Sequence, residues 1–127
     1  MSALVLDAGA LVAVDRGDRA ITRRLRVAQI HGLELRTHPL VVAQVWRDAS
    51  GRQANVGWLL KAVDVVPIDD QLGRACGVLL SVAGTGGAID AAVVLVARDG
   101  DEIITSDPDD VGHLVTAAGL SVRVVTA

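Results

Sequence analysis

Residues 3–16 read ALVLDAGALVAVDR. Four apolar residues, Ala3 to Leu6, follow one another without alternation, as a strand buried on both faces requires. Asp7 breaks the run, and Ala8 to Arg16 continues at helix length. This unit of apolar strand, acid and helix recurs down the chain. Asp18–Ile30 predicts a longer helix, with Ile21, Leu25 and Ala28 as its apolar stripe and Arg19, Arg23 and Arg26 on another face. Glu34–Thr37 predicts a second strand. Pro39 at a first helical position opens a helix to about Ser50, with Leu40, Ala43 and Val45 toward the core and Gly51 as its stop. Asn55–Lys61 adds one or two turns, and Val63–Pro67 predicts a third strand. Asp69 caps a helix to about Val82, Gly84–Gly87 is a loop, and Ala88–Arg98 is an apolar helix stopped by Gly100. Glu102–Thr105, a helix over Pro108–Ala118 ended by Gly119, and a strand over Ser121–Val125 complete the alternation. Such alternation implies a mostly parallel sheet covered by helices on both faces.

The chain has 127 residues, enough for one domain, 1–127. Apolar residues make up 51% of it, which excludes a disordered chain. Twelve basic and fifteen acidic residues leave a net charge of −3, so a generally basic nucleic-acid coat is excluded while a local basic stripe is not. The single cysteine, Cys76, excludes a disulfide scaffold and a cysteine-based zinc cluster. Trp46 and Trp58 are the only aromatics, which excludes a multi-aromatic stacking platform for bases. The N-terminal stretch lacks a basic n-region, and Asp7 interrupts its apolar run, so no export signal is expected. Val78–Ala97 carries one charge, Asp90, but the Gly84-Thr85-Gly86-Gly87 break argues against a membrane span. A cytoplasmic protein without membrane contact is expected.

Thirteen of the fifteen acids are aspartates. In open α/β sheets the active crevice lies beyond the carboxyl ends of the strands, and acids collect there. Asp7 directly follows the first strand; Asp107, with Asp109 and Asp110, follows the fourth. Each has a structural reading: Asp7 as the cap of the next helix, and Asp107-Pro108-Asp109-Asp110 as a helix start. Asp90 lies in the first turn of an apolar helix, with no Lys or Arg between Arg74 and Arg98. A charge buried there needs a partner or a metal, the alternative being stabilisation by the helix dipole. Two carboxylates about 4 Å apart repel by roughly 4 kcal/mol at an effective dielectric of about 20. A divalent cation reverses that sign, and a site of hard oxygens suits Mg²⁺ or Mn²⁺. His31, His38 and His113 form no ligand pair and are expected at the surface or in caps. No Walker loop is present, and Gly84–Gly87 follows a helix rather than a strand, which argues against a dinucleotide site.

Three segments together resemble the PIN-domain ribonucleases of the VapC toxin type: Leu6-Asp7-Ala8-Gly9-Ala10-Leu11, Ala88-Ile89-Asp90-Ala91-Ala92, and Ile104-Thr105-Ser106-Asp107-Pro108-Asp109-Asp110. The matching pieces span nearly the whole chain. The resemblance implies a three-layer α/β/α sandwich, Mg²⁺- or Mn²⁺-dependent endonucleolytic cleavage of RNA, a small cognate antitoxin protein as inhibitor, and a homodimer. It implies Asp7, Asp90 and Asp107 as catalytic metal ligands, Asp110 as a further ligand or water holder, and Thr105 as the hydroxyl that steadies the site. The family usually carries a Glu in the middle helix; Gln44 stands there, and Asp48, one turn on, is a possible partial substitute. An amide oxygen brings no charge, so an RNA- or protein-binding module with weak or no catalysis is the alternative expectation. Arg47, Arg52 and the Arg19/Arg23/Arg26 face are expected to meet RNA phosphates or to be solvated. Trp46 is expected to pack, to stack a base, or to join a protein contact.

Overall fold

The computed structural model describes residues 2–47 and 51–127. Its five strands are β1 (Ala3–Leu6), β2 (Glu34–Thr37), β3 (Val63–Val65), β4 (Glu102–Thr105) and β5 (Arg123–Thr126). They form one sheet of order β3-β2-β1-β4-β5 in which every pairing is parallel. Among the described residues there are seven helices: α1 (Ala8–Asp15), α2 (Arg19–Ile30), α3 (Pro39–Val45), α4 (Ala54–Leu60), α5 (Asp70–Ala83), α6 (Ala88–Val96) and α7 (Pro108–Ala118). The chain is an α/β protein with the three-layer α/β/α arrangement. Helices α1 to α4 pack among themselves, and α5 to α7 pack among themselves. The division is what the general right-handed rule for parallel crossovers requires, because the chain moves outward from β1 to β3 and then returns past β1 to β4 and β5.

The β1 strand is buried along its whole length, as are Ile103 and Ile104 of β4 and Ala91–Val94 of α6. Apolar runs without alternation therefore mark the centre of the sheet. In α2 the stripe of Ile21, Leu25 and Ala28 is buried as its spacing predicts. Asp18 and Asp69 cap α2 and α5 through Ile21 N–H and Leu72 N–H.

Several boundaries differ from the sequence expectation. Helix α3 ends at Val45, because its end is closed by side chains rather than by further turns. Gln53 Nε2 donates to Val45 O, and Gln53 Oε1 accepts from Arg47 N–H. Gly51 is therefore not its stop. The inward residues of α3 are Val41 and Val45, spaced one turn apart, while Leu40 and Ala43 are exposed. Helix α6 ends at Val96, and Gly100 belongs to the turn beyond, where its N–H donates to Ser121 O. β3 is shorter than expected, and β5 begins at Arg123.

The amino-terminal edge of the sheet holds a buried ion pair that the sequence reading did not contain. Asp101 accepts from Ala3 N–H, Arg98 N–H and the Arg36 guanidinium, and Arg36 also reaches Glu34. Among the described residues no single helix is long and apolar enough to cross a membrane; α5 and α6 pass that test only as a pair bent by 109°.

Candidate active site

The chain leaves β1 toward β2 on one side and returns to β4 on the other, so the order of strands switches at β1/β4. The crevice beyond their carboxyl ends is where ligands bind in sheets of this type. Asp7 extends the ladder by one step, its N–H donating to Ile104 O. The residue is nearly inaccessible, at 4% exposure, and its carboxylate is used on both oxygens. Oδ1 accepts from Ala8 N–H at 2.8 Å, and Oδ2 accepts from the Thr105 hydroxyl at 2.7 Å. Asp7 thus caps α1 and stands at the crevice at once.

Thr105 is fully buried, and its hydroxyl also accepts from Asp107 N–H at 3.0 Å. One hydroxyl therefore ties the Asp7 carboxylate to the backbone at Asp107. Asp107 occupies the N-cap position of α7 without a side-chain cap hydrogen bond, so the helix-start reading does not account for its carboxylate. The two loops approach closely because residue 9 is glycine: a Cβ there would lie 2.8 Å from Ser106 Cβ and 2.9 Å from Ser106 N.

Asp90 sits half-buried in the first turn of α6. Burial pushes its carboxyl above the ordinary aspartate value, and the charges of Asp7, Asp107 and Asp110 push it the same way. Acids from two other segments are thus within electrostatic reach of Asp90. They are not gathered to ligand distance: among the described residues, no group of three or more His, Cys, Asp or Glu side chains is placed to hold a metal ion. The donors are nonetheless all carboxylate oxygens, and their mutual repulsion is what a hard divalent cation relieves.

Against Ile89, the residue before Asp90, stands a histidine for which the sequence predicts a surface or capping place. His38 has no exposure. Its Nδ1 accepts from Leu40 N–H, capping α3, and its Nε2 lies 3.0 Å from Ile89 O, the residue before Asp90. A carbonyl can only accept, so Nε2 carries the proton and the ring is neutral. Burial lowers its pKa below the usual histidine value, opposed by the bond to Ile89 and the charge of Asp7. The legible signal was its place before Pro39, a cap position; its burial had none. His31 and His113 are exposed.

The remaining expected residues are exposed, engaged in local contacts, or outside the described residues. Gln44 is exposed on α3. Asp48 lies outside the described residues. Arg47 Nη1 donates to Ala43 O and Trp46 O, so its guanidinium closes the end of α3. Trp46 faces Gly57 of α4 across about one van der Waals contact, 3.6 Å from a Cβ built there. Arg19, Arg23 and Arg26 are exposed and line a groove of about 640 Å³ between α2 and α4, together with Trp58.

No protein-family model and no curated protein matches this chain.

Proposed function

We propose that this protein is a metal-dependent endoribonuclease, the toxin half of a toxin–antitoxin pair. The observation that carries the reading is the placement of acids at the β1/β4 switch: Asp7 at the end of β1, tied through the Thr105 hydroxyl to the Asp107 backbone, with Asp90 in the first turn of α6 within reach of their charges. Carboxylates clustered at such a crevice are expensive for a fold unless a cation or a proton compensates them. Asp7, Asp90 and Asp107, with Asp110 at the rim, are the residues that would hold Mg²⁺ or Mn²⁺. An ion bound there would supply a water of lowered pKa and polarise a phosphate oxygen. Thr105 orients the Asp7 carboxylate. Helix α6 begins without a side-chain cap hydrogen bond, which leaves its first N–H groups to meet a phosphate oxygen. The exposed Arg19, Arg23, Arg26 and Arg52 are available to RNA phosphates. A small antitoxin protein and a second copy of the chain complete the reading as partners.

The test is cleavage of a mixed RNA substrate with Mg²⁺ or Mn²⁺ and again after chelation. Cleavage is expected only with the ion, and Asp7→Ala and Asp90→Ala are expected to abolish it with circular dichroism unchanged. Full activity in both variants rejects the assignment. A second reading, an RNA- or protein-binding module with weak or no catalysis, is favoured by Gln44, which adds no charge to the acids. If that reading holds, the parent binds RNA without cutting it, and Gln44→Glu raises metal affinity and cleavage together.

A further inference from the structure

The α6 helix carries Asp90 but has little of its own to fix where it starts. Its N-cap is Gly87, which offers no side chain, and the preceding loop contains Gly84 and Gly86 at φ of +76° and +122°. Besides its packing against α5 and α7, the helix is held by hydrogen bonds from the strand-β2 segment at both ends. At the far end Arg36 Nη1 donates to Val96 O at 2.7 Å. At the near end His38 Nε2 donates to Ile89 O at 3.0 Å, while its Nδ1 is occupied by Leu40 N–H at 3.2 Å. Thr37, next to His38, is anchored to β1 by its hydroxyl on Leu6 O, one residue before Asp7. A chain of short bonds therefore runs from the backbone beside Asp7, through β2 and the imidazole, to the backbone beside Asp90.

The geometry points to His38 as a positioning residue for the proposed nuclease site, setting the distance between the Asp90 and Asp7 carboxylates by tethering the first turn of α6. The inference rests on the nuclease reading for its consequence in activity, but the tether is testable without it. Two substitutions divide the functions of the ring. In His38→Asn the side-chain oxygen takes the place of Nδ1 and keeps the α3 cap, but the amide is too short to reach Ile89 O. In His38→Gln an amide N–H is restored near the position of Nε2.

The experiment compares the parent and both variants in two measurements. Without metal, hydrogen exchange at the Ala91 and Ala92 amides is expected to accelerate in His38→Asn relative to the rest of the core and to return toward the parent in His38→Gln. With Mn²⁺ alone as the probe, calorimetry is expected to show affinity weakened by about 10-fold or more in His38→Asn and by less than about threefold in His38→Gln, the size typical of losing a partner that orients a ligand. Exchange and affinity unchanged in His38→Asn overturn the inference, as does an equal loss of global stability in both variants with no local effect at α6. If exchange responds as expected but the parent does not bind Mn²⁺, the tether stands and the nuclease reading falls. Should neither variant fold, the ¹⁵N spectrum of the parent imidazole decides: a protonated Nε2 coupled to Ile89 carbonyl supports the tether, and a protonated Nδ1 overturns it.

Discussion

At the scale of single residues, the candidate site is a set of groups held against their preferences. Asp90 is the most exposed to this conflict, since burial and three carboxylates all oppose its charge. Its folded pKa lies above its unfolded one, so ionisation at neutral pH weakens the fold, and the loss is recovered as pH falls toward the ordinary aspartate range. Asp90→Asn is therefore expected to raise metal-free stability by about 1 kcal/mol, within the usual gain from relieving an unfavourable charge, while abolishing RNA cleavage. Thermal denaturation in chelator and a cleavage assay on one preparation check both. His38 has the opposite sign. Its folded pKa is lowered from 6.5, so the fold resists a proton that the unfolded chain accepts. Stability is full above about pH 6.5 and declines as pH falls below it toward the folded pKa. Urea denaturation at about pH 7.5 and about pH 5.5 is expected to show a larger drop for the parent than for His38→Gln, whose side chain does not titrate. Asp7 and Asp107 were legible because their place after apolar strands is a local signal, and Asp90 because it is a lone charge in the first turn of an apolar helix. The role of His38 was not, because it depends on Ile89, a residue far along the chain with which it shares no sequence pattern.

At the scale of elements, the close approach of α1 to the β4–α7 turn accompanies the link of the Asp7 carboxylate, through the Thr105 hydroxyl, to the Asp107 backbone. Gly9 permits it, and the Ser106 backbone is what a side chain there would meet. Gly9→Ala is expected to cost about 1–3 kcal/mol by overpacking, and to reduce cleavage further by displacing the Asp107 segment. Denaturation midpoints and activity normalised to folded protein separate the two effects; unchanged activity per folded molecule rejects the link to the site. Every element was legible in the sequence, since apolar runs and the i, i+3, i+4 spacing of α2 are properties of neighbouring residues. Ends were less legible. Helix α3 stops at Val45 because Gln53 and Arg47 satisfy its last carbonyls, and no local rule announces a side chain arriving from a later segment. Leu40 was misplaced for the same reason: the face of α3 turned inward is set by α1, against which it packs.

At the scale of the whole molecule, the two edges of the sheet divide the work of stability and chemistry. The amino-terminal edge holds the Arg36–Asp101 pair, both nearly inaccessible, joining β1, β2, α6 and the start of β4. Asp101→Ala leaves a buried guanidinium with only the partly exposed Glu34 as its charged partner, and is expected to cost about 3–5 kcal/mol. Cleavage per folded molecule is expected to persist, because the acids lie at the other edge. An activity loss greater than the loss of folded protein, measured at low temperature, rejects that separation. The sequence alone determined the alternation of strands and helices, the burial of the central strands, and which aspartates stand at strand and helix ends. Those follow from contacts between near neighbours and from apolar patterning. Only the tertiary structure decided the strand order β3-β2-β1-β4-β5, the reach of the Asp7, Asp107 and Asp110 charges to Asp90, and the burial of His38 and Arg36. The physical reason is that parallel pairing joins residues distant in sequence through long crossovers, so which acids repel, and which polar groups satisfy them, is settled only when the sheet closes.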